Sequence, residues 1–200
     1  MRVWLPDRPG ALGQVASRIG AVYGDVIGID ILERGGGSAI DELTVTLPEA
    51  HLVDLLVSEI RQVDGVAVED VRRVDASRQD ATIAALELAA ALVGAAPERR
   101  QTAFCDGIAE FVDGDWCAIV RLVDGEVLST SGRPPDLGWL GAFLDGSRHL
   151  DASADSAPSD IAWAYLDSLG TAVATGRKGR PFHARERHEI ALLARICSAL

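Results

Sequence analysis

A chain of 200 residues has room for one ordinary domain or two small ones. A hydrophobic fraction of 48% with 24% charged residues supports a real core and excludes a wholly disordered protein. The net charge of -11 repels phosphate backbones and anionic bilayers, so neither nucleic acid nor a membrane is an expected partner.

In chain order, Val3 and Leu5 alternate with Arg2 and Trp4, as in a short strand with one buried face. Asp7-Arg8-Pro9-Gly10 stops that strand and opens a helix, with Asp7 suited to the N-cap and Pro9 tolerated in the first turn. Leu12, Val15, Ile19, Val22 and Tyr23 recur at three- and four-residue steps, predicting an amphipathic helix of about four turns. Gly24 suits the left-handed position that ends it. Val26 to Glu33 reads as an Ile-rich strand and Gly35-Gly36-Gly37 as a hairpin tip. On the returning strand Leu43, Val45 and Leu47 face one way, and Glu42, Thr44 and Thr46 the other. Pro48 starts a second helix with a stripe of Leu52, Leu55, Leu56 and Ile60. Asp64-Gly65 then turns into a last strand through Val66 and Val68, fading near Val74. This order is that of the ferredoxin-like βαββαβ fold, an antiparallel sheet with both helices on one face.

The run V-x-L-P-D-R-P-G-A-L at Val3 to Leu12, followed by a helix, an Ile-rich strand and a Gly-rich hairpin, resembles an ACT domain. The likeness covers about Arg2 to Asp75, with the domain set at 1–75. It implies an amino acid or other small effector, bound where two ACT domains pair, and regulation of an attached or associated protein. The ligand contacts it implies are Asp7, Arg8, Pro9, Gly10, Ala11 and Leu12 at the N-terminal turn, with Val26 and Ile27 opening the second strand. Gly10 lets a ligand carboxylate approach free N–H groups, and Asp7 offers an acceptor to an ammonium group. Structural roles stand beside these: Asp7 as a plain N-cap, Gly10 for helix–sheet packing. Serine-binding members carry polar residues at the positions matching Val26 and Leu5, both apolar here.

Around Arg72 to Gln79 the chain turns charged and loses its alternation. A linker helix is expected within 76–97, with Ile83, Leu86, Ala90 and Val93 on one side and Ala on the other, the latter permitting close packing on a second helix. Gly94 to Pro97 breaks it. The next helix carries Phe104, Ile108 and Phe111 and ends at Asp113-Gly114. Trp116 to Leu122 reads as a strand, Asp124-Gly125 as a two-residue hairpin turn, and Glu126 to Ser131 as the return. A short helix holds Leu137, Leu140 and Leu144. A surface loop follows from Gly146 to Ser159, then strands at Ile161 to Leu166 and Leu169 to Thr175. A final helix from about Ala184 turns Ile190, Leu193 and Cys197 inward. In element order, Asp80 to Leu200 resembles a GAF-type domain, set at 98–200, with an antiparallel sheet and flanking helices. The overall expectation is an α+β chain, ACT then GAF-like. The GAF resemblance implies helix pairing between subunits and, in some members, a small-molecule pocket, here reduced or missing.

Chemical motifs are sparse. His51, His149, His183 and His188 have no metal spacing, so no metal ligand is assigned. Cys105, Cys117 and Cys197 form no CxxC pair and read as small buried side chains, which fits a reducing cytoplasm. No apolar run reaches the ~20 residues of a membrane span, and the N-terminus lacks a signal-peptide core. Gly176-Arg177-Lys178-Gly179-Arg180, extended by Arg185 and Arg187, reads as a solvated loop, with an anion grip as the alternative. Trp116, Trp139, Trp163 and Tyr165 read as core, with a pocket lining as the alternative. No catalytic residue and no cofactor is assigned, and the chain is not expected to be an enzyme. The leading expectation is a cytoplasmic, homodimeric regulator sensing an amino acid or related metabolite. The alternative is a non-catalytic homodimeric interaction or scaffold protein with an unidentified protein partner.

Overall fold

The computed structural model describes residues 1–75, 80–149 and 158–200. The chain divides into two compact units, Met1–Arg78 and Gln79–Leu200. Both are mixed α+β, each with a four-stranded antiparallel sheet. No helix among the described residues is long and apolar enough to cross a membrane.

The first unit runs β1 (Arg2–Pro6), α1 (Ala11–Ala21), β2 (Asp25–Gly35), β3 (Ser38–Thr46), α2 (Val53–Ile60) and β4 (Ala67–Asp70). The strands lie in the order β2-β3-β1-β4, so β2 is an edge. Val3, Leu5, Ala39 and Leu43 from the sheet meet Ala11, Val15 and Ile19 of α1 and Leu56 and Ile60 of α2 in one core. Both helices therefore cover the same sheet face, as the βαββαβ order requires.

Details of the helices depart from the sequence expectation. Asp7 is not the N-cap: α1 starts at Ala11, its N-cap is Gly10, and no side chain caps it. Arg8 and Pro9 lie in a turn before the helix, where Ala11 N donates to Arg8 O at 3.2 Å. The left-handed residue at its other end is Tyr23, φ 59°, and Tyr23 is exposed instead of continuing the inward stripe. Gly24 has a different reason to be glycine, since a β-carbon there would lie 2.8 Å from Ile19 Cγ2. A 3-10 turn over Ala50–Leu52 precedes α2, and Leu55 points outward with 48% exposure. The last strand ends at Asp70, short of Val74.

The second unit runs α3 (Ala81–Gly94), α4 (Pro97–Phe111), β5 (Trp116–Arg121), β6 (Val127–Gly132), α5 (Leu137–Gly146), β7 (Ile161–Leu166), β8 (Thr171–Gly176) and α6 (Ala184–Ala199), with strand order β6-β5-β8-β7. The central strands β5 and β8 are buried on both faces. On one face Cys117, Ile119, Ala164 and Val173 pack under Leu92, Phe104, Ile108 and Ile190 of α3, α4 and α6. On the other, Leu140 and Leu144 of α5 close over Trp116, Ala118, Trp163 and Ala174.

Helix α3 presents the opposite face from the one its large side chains suggest. Ala85, Leu88 and Ala89 pack inward beside buried Leu92, whereas Ile83, Leu86 and Val93 are exposed and Ala90 lies with them. Close approach of α4 decides this: a β-carbon on Gly107 would lie 2.2 Å from Leu88 Cδ1. The β5–β6 connection is longer than a two-residue hairpin, for Arg121 N donates to Glu126 O at 2.8 Å with Gly125 at φ 72°. Leu137 is 40% exposed, and β8 starts only at Thr171 after a 3-10 turn. Of the expected surface loop 146–159, residues 146–149 are helical and 150–157 lie outside the described residues.

Candidate functional site

The turn between β1 and α1 is built by the D-R-P-G run. Arg8 N donates to Pro6 O at 2.8 Å, reversing the chain, and Asp7 N donates to Gly37 O at 2.9 Å, tying the turn to the β2–β3 hairpin. Residues Asp7, Arg8, Pro9 and Gly10 are all exposed, Leu12 is half-buried, and Ala11 is buried beneath them. Gly10 has φ 89°, and a β-carbon built on it would meet nothing within 4 Å. Its glycine therefore answers a left-handed backbone and leaves an open approach; helix–sheet packing is not the reason.

Val26 and Ile27 do not join this turn within one chain. Val26 pairs with Val45, whereas the turn neighbours Gly35 and Ser38, which pair with each other at the far end of β2. Nine residues of strand separate the two places, roughly 25–30 Å. Val26 packs against the core, and Ile27 is 59% exposed.

A residue outside the D-R-P-G run lies closer to the turn. Asp41 on β3 pairs with Val3 and with Ile31, on the same face as Ala39 and Leu43, which is the face α1 covers. It is 3% exposed, and its Oδ1 has no hydrogen-bond partner among the described residues. Burial pushes its carboxyl above the ordinary carboxylate range, the nearby Asp7 adds to that, and Arg34 opposes it. The sequence carries the signal: stepping back by two from Leu47, Val45 and Leu43 reaches Asp41, an acid at an inward position.

Other candidates resolve into structure. The basic segment is neither a solvated loop nor an open anion grip, because Arg177, Arg180 and Arg187 are 4%, 7% and 8% exposed. Arg177 donates to the carbonyls of Val112, Arg180 and Pro181 and to Glu186, and stacks over Phe182 at 3.9 Å. Arg187 donates to Ile161 O and Pro158 O at 2.8 and 2.7 Å. These guanidinium groups staple loop carbonyls together. All three cysteines are free and buried. The hydrogen bond to Cys105, with burial, pushes the Cys117 thiol up, away from a reactive thiolate. Trp116 and Trp163 fill the core under α5, while Trp139 is 48% exposed and stacks on Phe143. A hollow of about 380 Å³ lies in the first unit between the end of β3, α2 and residues 71–74. Its walls mix Leu and Val with Glu42, Thr44, Arg72 and Arg73, and Glu42 is already ion-paired with Arg2 at 2.7 Å. Among the described residues no three His, Cys, Asp or Glu side chains gather as a metal site.

Neither models of known protein families nor curated protein sequences give a match to this chain.

Proposed function

We propose that the chain is a regulatory protein whose ACT-type first unit binds an amino acid or related metabolite at the β1–α1 turn, with the GAF-like second unit as output or second sensor. The observation that carries the reading is the turn itself. Gly10 is left-handed with open space around it, and no side chain caps α1. Ala11 N is taken by Arg8 O, so the N–H groups of Leu12 and Gly13, with the positive end of the helix, are the ones that would meet an anion such as a ligand carboxylate.

Val26 and Ile27 enter this site only through a second copy. Two β2 strands paired antiparallel would carry Val26 of the partner subunit toward the Arg34 end of the strand, beside the hairpin that holds the turn. The exposed Ile27, Ile29 and Ile31 on that unpaired edge favour such a pairing. The test is thermal denaturation of the full chain with each proteinogenic amino acid at millimolar concentration. At least one is expected to raise the melting temperature, because ligand bound to the folded form stabilises it. If none does while the chain stays dimeric, the effector role is abandoned.

A homodimeric interaction or scaffold role is the second reading, favoured by the apolar character of Leu5 and Val26. It calls for a stable dimer indifferent to metabolites that captures one specific partner.

A further inference from the structure

We infer that Asp41 recognises the ammonium group of the effector, which makes that effector a free α-amino acid and not a 2-hydroxy acid or other plain carboxylate. This deepens the effector reading of the β1–α1 turn and rests on it.

Asp41 occupies a position where the strand pattern calls for an apolar side chain. Its neighbours two residues away on β3, Ala39 and Leu43, are both core residues. The acid is withdrawn from water, and its Oδ1 has no hydrogen-bond partner among the described residues. A buried carboxylate without a partner is costly, and the usual compensations are a counter-ion or donated hydrogen bonds. A ligand ammonium supplies both at once, as a charge-assisted bond.

The surroundings match the other pole of a zwitterion. Asp41 is close enough to Asp7 and Arg34 for both to bias its proton. Asp7 and Arg34 are exposed, and Asp7 belongs to the turn that opens onto α1. An amine held by Asp41, with Asp7 at the rim, leaves the carboxylate of the same molecule to Arg34 and the uncapped helix start. The carboxyl also lies near the surface. Ile31, its partner on the edge strand, is 37% exposed, and the turn that carries Asp7 is tied to the hairpin by the Asp7 N to Gly37 O bond. A polar partner on β3 answers the apolar Leu5 and Val26, because the ligand's amine need not be satisfied from β1 or β2.

Titration calorimetry on the full chain tests this with each L-amino acid, with the 2-hydroxy acid of the same side chain, and with methylammonium chloride. Wild type is expected to bind an amino acid at least about tenfold more tightly than its hydroxy acid. Asp41→Asn and Asp41→Leu are expected to lose that binding by a similar factor while their unliganded melting temperatures stay equal or rise. The rise shows that lost binding is not lost folding. Equal affinity for amino and hydroxy acids, or unchanged binding by both variants, overturns the role of Asp41 and leaves the effector reading standing. Absence of binding by any probe overturns both.

Discussion

Arg177 Nη2 lies 2.7 Å from each carboxylate oxygen of Glu186, and both side chains are withdrawn from solvent. The same guanidinium reaches the carbonyls of Val112, Arg180 and Pro181, and Glu186 also accepts from His183 N at 3.0 Å to cap α6. Arg177→Met takes the guanidinium counter-ion from the buried Glu186 carboxylate and one donor each from the carbonyls of Arg180 and Pro181, while Val112 O keeps its bond from Arg180. Removing one member of a buried, hydrogen-bonded pair costs about 3–5 kcal/mol. Urea denaturation is expected to show a loss of that order with an unchanged slope. A loss under about 0.5 kcal/mol would mean that the loop is solvated after all.

Gly10 and Gly132 separate two reasons for glycine. Both have positive φ, 89° and 69°, but a β-carbon on Gly132 would lie 2.1 Å from Asp115 O, whereas one on Gly10 meets nothing within 4 Å. Gly10→Ala is expected to cost about 1 kcal/mol, from the left-handed backbone alone. Gly132→Ala adds a clash with backbone that has no rotamer to change, so its cost is expected to exceed about 3 kcal/mol. Thermal denaturation of the two variants side by side checks the contrast, and equal costs would mean that the open space at Gly10 is filled in solution.

The succession of elements in the first unit is readable from its punctuation: Gly35-Gly36-Gly37, Pro48 and Asp64-Gly65 interrupt the hydrophobic periodicity where the chain turns. What escapes such reading depends on distant neighbours. Periodicity assigns Ile83, Leu86 and Val93 of α3 to the core, but the approach of Gly107 selects the Ala-bearing face. Local charge makes Arg177 and Arg187 look solvated, because the carbonyls of Val112 and Ile161 that bury them are 65 and 26 residues away. Asp41 is the intermediate case. Its parity on β3 is legible, yet only the fold puts it next to the turn at Asp7.

Asp41 also gives the chain a pH signature. Burial raises its folded-state pKa, so between the ordinary carboxylate value and the raised one the folded chain holds more proton than the unfolded chain. Stability then falls as pH rises through that window, and the penalty is complete above the raised pKa. Asp41→Asn removes the charge, so its advantage over wild type is expected to grow with pH and then level off, at about 1–2 kcal/mol. Urea melts of both proteins from about pH 4 to about pH 8 read this directly. A difference that does not vary with pH would place Asp41 in water.

The edge strand β2 links the quaternary expectation to the site. Its outer backbone groups pair with no strand among the described residues, and Ile27, Ile29 and Ile31 are 59%, 49% and 37% exposed. A long apolar edge of this kind is a template for a second chain. If two copies pair antiparallel about Ile29, the two Ile29 side chains stand opposite each other at the symmetry axis. Ile29→Lys then sets like charges against each other and shifts the chain toward monomer in sedimentation at micromolar concentration. Ile29 is already half exposed, so the substitution is expected to change the stability of the monomer by no more than about 0.5 kcal/mol. Effector binding is expected to fall with the dimer, since in that pairing Val26 and Ile27 would reach the turn from the partner subunit. A wild-type chain that sediments as a monomer would remove the pairing, and with it the shared site. A monomeric Ile29→Lys that binds an amino acid as wild type does would instead confine the site to Asp7–Leu12, Arg34 and Asp41 of one chain.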